Sequence, residues 1–277
     1  MILVTGATGN AGGAVVRALV SAGEDVRALI RPGGDQSALP AGAEGVAGDL
    51  NRPETLSAAL AGVRTLFLLS GYQDMPGVLA EIRRAGVERV VLLSSSAAPG
   101  GDMSNAVARY HILSETAVRG SGLPWTFLQP NSLMSNALQW RSQLQGGDVV
   151  HAPFADVRVA TIDPHDVAAV AAEALTSGGH EGRSYRLSGP ESLLPADRVA
   201  VLAKVLGRDL RFEGQSDADA RAEMSATMPG EYVDAFFSFF ADGKLDESKV
   251  LPTVQEVTGR QPRTFEQWAR AHAGAFR

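Results

Sequence analysis

The feature that most constrains this chain is a glycine-rich turn close to its N-terminus. An apolar run at residues 2–5 leads into the sequence GATGNAG, and residues with helical spacing and a second apolar run at 25–30 follow it. The first glycine allows a sharp turn off a strand, the second lets a pyrophosphate approach the backbone, and the third lets the helix pack closely. This strand–turn–helix–strand unit predicts a Rossmann-type dinucleotide site. The residues predicted at the phosphates are Gly6, Thr8, Gly9, Asn10, Ala11 and Gly12.

Between residues 30 and 130, apolar segments alternate with segments of helical spacing. Strands are predicted at 45–47, 65–69, 89–93 and 125–128, and helices at 53–61, 76–85 and 104–119. Strands that are apolar throughout and separated by helices indicate a parallel sheet with helices on both faces. We therefore predict an α/β fold with a Rossmann doubly wound parallel sheet.

After Pro130 the alternation becomes less regular, and the C-terminal part is predicted to be mostly helical. Helices are expected at 132–144, 164–176 and 195–206, and strands at 157–162, 183–188 and 210–213. No linker separates the two parts. We predict that residues 1–130 form the dinucleotide-binding Rossmann core. Residues 131–277 would add later Rossmann elements and a smaller substrate lobe, without forming an independent domain.

Composition and charge exclude several classes of protein. The 277 residues include no cysteine, which excludes disulfides, thiolate zinc sites and cysteine nucleophiles. The formal net charge is −6 and basic residues form no patch, so direct binding of nucleic acid is not expected. The five histidines lack metal-ligand spacing, and no apolar run approaches the roughly 20 residues that span a bilayer. We expect a cytoplasmic protein, monomeric or homodimeric, that binds no metal and no membrane.

The end of the second strand indicates which dinucleotide binds. Enzymes that use NAD(H) usually place Asp or Glu there for the ribose 2′-hydroxyl, but this strand ends with Ile30 and Arg31. An arginine can pair with the 2′-phosphate of NADP(H) and stack near the adenine. NADP(H) is therefore favoured over NAD(H). The alternative is a solvated arginine at a strand end.

Several motifs together resemble those of the atypical short-chain dehydrogenase/reductase superfamily, and specifically its NmrA-like branch. In the family's order, the chain contains VTGATGNAG at the start, RPG after the second strand, GDL at 48–50, LLSS at 92–95, SGLPWTFLQP at 121–130 and DPHDVAAVAAEAL at 163–175. The segment TGRQPRTFEQWARAH at 258–272 is similar to the family's closing segment. The resemblance implies an NAD(P)H-dependent quinone or azo reductase.

The resemblance also implies how the remaining cofactor contacts are distributed. It places Asp49 and Leu50 by the adenine, Leu69, Ser70 and Gly71 along the cofactor, Ser94 and Ser95 near the nicotinamide ribose, and Pro130 and Asn131 beside the nicotinamide. Without the resemblance, Asp49 and the serines would be interpreted as ordinary turn and loop residues.

The catalytic pair of the superfamily is missing. Typical members use a Tyr and a Lys four residues apart on the helix after the fifth strand, which puts both on one helix face. Aligning the family's Glu with Glu115 puts His111 at the Lys position and Val107 at the Tyr position. The alternative register, Tyr110 with Ser114, also lacks a lysine. His111 and Tyr110 are the candidate catalytic residues, and His111 could either donate a proton or only hydrogen-bond the ribose.

The segment 236–240 contains four phenylalanines and is the most apolar aromatic stretch. Packing of the second lobe is the favoured interpretation, and a wall of an aromatic-substrate pocket or a dimer contact is the alternative. Other residues that could join such a pocket are Met134, Trp140, Met224 and Met228.

An intact cofactor site beside a missing Tyr–Lys pair limits the chemistry. A quinone-like or other conjugated aromatic acceptor needs little acid catalysis, so we predict an NADPH-dependent reductase of such an acceptor. One alternative is a non-catalytic NADP(H)-binding regulator that senses redox state. A second alternative is a reductase or isomerase of specialised metabolism.

Overall fold

A seven-stranded parallel sheet runs through the molecule, which a computed structural model describes over residues 1–277. The nine strands, in chain order, are β1 (Ile2–Val4), β2 (Val26–Ile30), β3 (Glu44–Ala47), β4 (Thr65–Leu69), β5 (Arg89–Leu93), β6 (Trp125–Pro130), β7 (Val149–Ala152), β8 (Arg183–Leu187) and β9 (Arg211–Gly214). The large sheet has the order β3-β2-β1-β4-β5-β6-β8, and β7 pairs in parallel with β9. The strand order reverses between β1 and β4, which is the doubly wound Rossmann arrangement. The predicted fold class is confirmed.

Helices cover both faces of this sheet. They are α1 (Asn10–Ser21), α2 (Ser57–Leu60), α3 (Met75–Arg84), α4 (Ala106–Gly120), α5 (Arg141–Gly146), α6 (Pro164–Thr176), α7 (Pro195–Leu206), α8 (Asp217–Ser225), α9 (Gly230–Phe240), α10 (Thr253–Thr258) and α11 (Phe265–Ala271). Successive side chains of a strand point to opposite faces. Accordingly, Ile2 and Val4 pack with residues of α1 and α6, whereas Leu3 packs with residues of α2, α3 and α4. No helix is both long and apolar enough to cross a membrane.

A third hydrophobic cluster is built from residues between 134 and 276. It includes Trp140, Val199 and Phe276, and the rings of Phe265 and Trp268 stack within it with centroids 5.3 Å apart. The large sheet and its packing are completed by α6 and β8, which come from the same half of the chain. The division into a core and a smaller lobe at residue 130 stays a prediction.

The predicted strand at 157–162 is wrong. Only two isolated bridges form there, Leu133 with Ile162 and Val159 with Leu193. The backbone of this segment bonds to several separate parts of the chain, since the N–H of Ala160 donates to the carbonyl of Glu247. No single neighbouring strand runs along the segment, so its apolar residues are buried without forming a ladder.

Two predicted helices are less regular than expected. Residues 132–144 begin as a 3₁₀ helix, Met134–Trp140, before α5 starts. Residues 53–61 divide into a 3₁₀ turn, Pro53–Thr55, and the four-residue α2. The hydroxyl of Thr55 donates to the carbonyl of Arg52 (2.7 Å), and local side-chain bonds of this kind compete with continuous helix.

Candidate functional site

The glycine-rich turn connects β1 to α1 at the carboxyl edge of the sheet. Gly6 has a φ of +62°, and a Cβ there would lie 2.3 Å from Cδ1 of Leu69. A Cβ on Gly12 would lie 2.2 Å from the carbonyl oxygen of Gly6, and one on Gly9 would lie 3.3 Å from the same atom. The first and third glycines are therefore required for packing of the turn against strand and helix, while Gly9 is exposed and leaves room for an anion.

The first turn of α1 presents backbone N–H groups that have no partner within the helix. Gly9 is the N-cap residue, no side chain caps the helix, and its first turn contains no acidic residue. Thr8 and Asn10 are exposed, whereas Ala11 and Gly12 are buried. A helix start of this kind carries partial positive charge and fits a pyrophosphate.

Arg31 follows β2, is exposed, and has no acidic side chain paired with it. Burial raises the pKa of the Tyr72 hydroxyl, and two nearby charges act on it in opposite directions, with Arg31 lowering the pKa and Asp49 raising it. The Asp49 carboxylate accepts a hydrogen bond from the backbone N–H of Asn51 (2.9 Å), and Leu50 is buried. The structure thus brings Arg31 and Asp49 together with an aromatic ring that the sequence analysis missed. The only feature of the sequence that points to Tyr72 is its position just after Gly71, at the end of β4.

At the end of β4, the candidate residues contact α4. The hydroxyl of Ser70 donates to the carbonyl of Leu93 (2.7 Å), and the N–H of Gly71 donates to the hydroxyl of Ser114 (3.0 Å). The ring of Tyr110 covers Gly71, since a Cβ at that glycine would overlap the ring, and φ there is +93°. The Tyr110 hydroxyl donates to the carbonyl of Ser70 (3.2 Å). Tyr110 therefore holds this loop against α4.

At the end of β5, the two candidate serines have different surroundings. The hydroxyl of Ser94 is buried and donates to Glu115 (2.6 Å), which also accepts from Gln129 (2.8 Å) and pairs with Arg119 (3.2 Å). Ser95 is half-buried, and its hydroxyl accepts from the N–H of Ala97 (3.2 Å). Glu115, the residue that set the family alignment, is thus a buried part of the site's support.

His111 lies on α4 with its ring edge-on to that of Tyr110, at a centroid distance of 4.2 Å. Burial lowers its pKa from 6.5 to about 4, so the imidazole is neutral at physiological pH. Val107, one turn earlier, packs with Phe239 and Phe240. No group on this face of α4 carries the charge that the superfamily's lysine supplies.

A buried carboxylate behind the end of β6 was not predicted. Glu247 accepts hydrogen bonds from the hydroxyls of Ser96 (2.5 Å) and Ser132 (2.6 Å), and from the N–H of Ser132 (3.1 Å). Its backbone carbonyl accepts from Nδ2 of Asn131 (3.0 Å). Burial raises the pKa of the Glu247 carboxyl. Nothing in the local sequence distinguishes Glu247 from the exposed acidic residues around it, because its partners lie more than 100 positions away.

Ser132, the residue after Asn131, is one of the residues that line a cavity of about 480 Å³. Its apolar wall includes Phe154, Phe236 and Phe240, and other lining residues are Trp140, Met224 and Met228. Neither Tyr110 nor His111 lines it.

The phenylalanine stretch of α9 therefore serves partly in packing and partly as a wall of the cavity. Phe237 and Phe239 are buried in packing, as favoured, whereas Phe236 and Phe240 face the cavity. Met134, which the sequence predicts as a possible pocket residue, does not line the cavity and belongs to the third hydrophobic cluster.

The candidate cofactor residues share one edge of the sheet, because they follow strands β1 to β6 or lie on α4. Two buried polar atoms among them, Nδ1 of His111 and Oδ1 of Asn131, have no hydrogen-bond partner. These atoms fit the hydroxyl and amide donors and acceptors of a nicotinamide dinucleotide. The start of α1 and the unpaired charge of Arg31 fit its phosphates.

Comparison with known proteins gives the same assignment. A family described as NAD(P)H-binding matches residues 6–178, more than half of the chain. The chain is 41% identical to the (4-alkanoyl-5-oxo-2,5-dihydrofuran-3-yl)methyl phosphate reductase of Streptomyces griseus, over 100% of this chain and 99% of the relative. It is 36% identical to the NAD(P)H azoreductase of Xenophilus azovorans, with the same coverage. Its fold is similar to that of an NADPH-dependent quinone oxidoreductase from Escherichia coli, with a TM-score of 0.80 and 25% identity over 99% of this chain and 100% of the other.

The family match includes the glycine turn, Arg31, Asp49 and the ends of β4, β5 and β6. The predicted resemblance and the predicted nicotinamide cofactor are confirmed, and NADP(H) is the form favoured by the relatives as well as by Arg31. The chain belongs to the NAD(P)H-binding family and is an NAD(P)H-dependent oxidoreductase of the NmrA-like branch of the atypical short-chain dehydrogenases/reductases.

Proposed function

We propose that this protein uses NADPH to reduce a small conjugated acceptor, such as a quinone or another conjugated aromatic compound, in the cavity beside Ser132. The observation that carries the proposal is the position and lining of that cavity. One lining residue, Ser132, directly follows Asn131, which is expected to border the nicotinamide, and phenylalanine, tryptophan and methionine side chains also line the cavity. Pockets of a few hundred Å³ with aromatic walls suit planar ligands of this size.

The cofactor is proposed to bind along the carboxyl edge of the sheet. Its pyrophosphate would be held by the N–H groups at the start of α1, and its 2′-phosphate by Arg31. Ser70, Gly71, Ser94 and Ser95 would follow the cofactor towards Pro130 and Asn131. When bound, NADPH supplies a hydride to the acceptor.

Acid catalysis by this chain is proposed to be minor. The hydroxyl of Tyr110 already donates to Ser70, and the imidazole of His111 is held neutral by burial. Neither residue lines the cavity. Reduction of a quinone places negative charge on an oxygen that water can protonate, so no residue with the role of the usual tyrosine is required. We propose that His111 and Tyr110, the predicted catalytic candidates, position the cofactor and do not donate a proton to the acceptor.

The names of the relatives support the acceptor class. One relative is an azoreductase and one structural neighbour a quinone oxidoreductase, and both acceptors are conjugated. A third is named for a lactone conjugated with a ketone, which also bears a phosphate ester. A quinone-like or otherwise conjugated acceptor fits all three. A cytoplasmic location and a monomeric or homodimeric state stay predictions.

The test is NADPH oxidation by the purified protein with a panel of acceptors. A quinone, an azo dye and an acyl butenolide are expected to be reduced, and a simple aliphatic ketone much more slowly. NADPH binding is measured in parallel by fluorescence titration. Binding of NADPH without oxidation in the presence of any acceptor would contradict the proposal, and would favour the redox-sensing regulator instead.

A further inference from the structure

Arg198, on α7, lines the cavity together with the aromatic side chains. Its guanidinium lies over the ring of Trp140, 5.4 Å from the ring centroid. The Nε atom is buried and has no hydrogen-bond partner, and no carboxylate pairs with the group. The Arg198 guanidinium therefore lies in a largely apolar pocket, and no acidic side chain of the protein balances its charge.

The missing counter-charge is not explained by a lack of acidic residues nearby. Asp197 precedes Arg198 in the sequence, but its carboxylate accepts from the N–H of Leu194 (2.9 Å) and pairs with Arg158 (3.5 Å). The adjacent carboxylate thus caps α7 and faces a different arginine, which leaves Arg198 to the cavity.

Two other charged or titratable side chains line the cavity, Glu223 and His151. Both are exposed, so they lie at its outer part. Glu223 accepts a hydrogen bond from Gln215 (2.6 Å), and Nδ1 of His151 lies 3.6 Å from Glu213. Neither makes an ion pair with Arg198. Inside the cavity, Arg198 is the dominant charge.

A largely buried charge without a partner is destabilising, and a ligand of opposite charge removes that penalty. Burial lowers the pKa of Arg198 to about 10, which leaves the guanidinium charged at neutral pH. A guanidinium binds carboxylate or phosphate oxygens through two parallel N–H groups. The chemistry that fits this position is an oxyanion attached to the ligand of the cavity.

We propose that the acceptor reduced by this protein carries an oxyanion, a phosphate ester or a carboxylate, and that Arg198 binds it. This inference rests on the proposed function for the identity of the cavity as the acceptor site. It adds the substrate's charge and the residue that selects for it. The conjugated part of the acceptor would lie against the aromatic wall.

The experiment measures binding of phenyl phosphate, benzoate and benzyl alcohol by calorimetry to protein saturated with NADPH, so that the cofactor's own phosphate sites are filled. The variants are Arg198→Met, Arg198→Lys and a matched control, Arg221→Met. Arg221 also lies over a phenylalanine ring, 3.9 Å from the centroid of Phe237, but it is paired with Asp234 (2.8 Å). At least one of the two anions is expected to bind wild type and Arg221→Met equally, and Arg198→Met at least about tenfold more weakly. Arg198→Lys is expected to fall between them, and benzyl alcohol to be insensitive to all three changes.

The same preparations are assayed for reduction of an uncharged quinone, which separates the two proposals. Equal binding of both anions to wild type and Arg198→Met would overturn the inference, as would turnover of the quinone by wild type with no binding of either anion. Binding that depends on Arg198 together with no reduction of any acceptor would overturn the proposed function and leave the anion site standing. The stronger of the two anions identifies the substrate group.

Discussion

The cofactor edge of the sheet and the cavity beside it each contain an arginine without a partner. The two arginines differ in burial and in how far along the chain their neighbours lie. Arg31 is exposed and follows a strand within 30 residues of the glycine turn. Arg198 is largely buried, and it meets lining residues drawn from positions 132 to 240. The charge of Arg31 costs little in solvent, whereas that of Arg198 is costly unless a ligand compensates it. An unpaired buried charge is therefore the more specific sign of a ligand.

The two regions are also built differently. At the cofactor edge, the proposed binding of the cofactor uses backbone geometry, so its requirements fall on glycines and strand ends. The cavity is instead lined by side chains from β7, the 3₁₀ helix Met134–Trp140, loops and four helices (α5, α7, α8 and α9). Substitutions at the cofactor edge should accordingly affect folding and cofactor binding together, while those in the cavity should affect ligand choice with little effect on folding.

The largest effect is expected for Gly12→Ala. The added Cβ would lie 2.2 Å from the carbonyl oxygen of Gly6, so the turn must move away from α1. We expect a loss of about 1–3 kcal/mol in the free energy of unfolding and loss of measurable NADPH binding. Urea unfolding and fluorescence titration check both. The control is Gly120→Ala, where a Cβ meets nothing within 4 Å. A Gly12→Ala protein as stable as the control and with normal affinity would show that the turn is not tightly packed.

The next effect concerns the preference for NADPH, which we attribute to Arg31. Removing its guanidinium in Arg31→Ala is expected to weaken NADPH binding about 10- to 100-fold and NADH binding little, because only NADPH carries the 2′-phosphate. The dissociation constants of both cofactors are compared. Arg52→Ala is the matched control, since Arg52 is also exposed but pairs with Glu54 (3.2 Å). Equal loss for the two cofactors would mean that the 2′-phosphate is bound elsewhere.

The difference between the two regions also determines what the sequence could predict. The doubly wound sheet and the use of NAD(P)H could be predicted because their signals are local, namely the turn at 6–12, Arg31 and the apolar pattern within each strand. Glu247 and Arg198 could not be found in this way, because their importance depends on burial and on partners from distant segments. Residues 157–162 show the same limit: their apolar pattern records burial, but a strand also needs a neighbour, and the chain places none there.

A smaller effect is expected from the neutral imidazole of His111. Its pKa is about 4 in the folded protein and 6.5 when exposed, so the unfolded chain binds the proton first as the pH falls. Stability is therefore greatest above pH 6.5 and decreases as the pH falls towards 4. His111→Asn should unfold with a shallower pH dependence over that window, measured as the difference from wild type in urea. For the same reason, kcat with a quinone should show no inflection due to His111 between about pH 6 and about pH 9. Identical pH dependence of stability in both proteins would mean that this imidazole is solvated.

The smallest effect, and the one that most directly tests the contrast between the two regions, is the stability of the Arg198→Met protein. If Arg198 were held in place for packing, losing its contact with Trp140 would lower the free energy of unfolding by about 0.5–1 kcal/mol or more. If it is held for a ligand, removing an uncompensated buried charge and keeping an apolar side chain of similar length should leave the free energy unchanged or raise it slightly. Arg221→Met, which breaks an ion pair as well as a contact with a ring, should be less stable than wild type by about 0.5–1 kcal/mol. Thermal unfolding of the three proteins without ligand decides between these outcomes. An Arg198→Met protein less stable than Arg221→Met would place Arg198 among the packing residues and remove the contrast with Arg31.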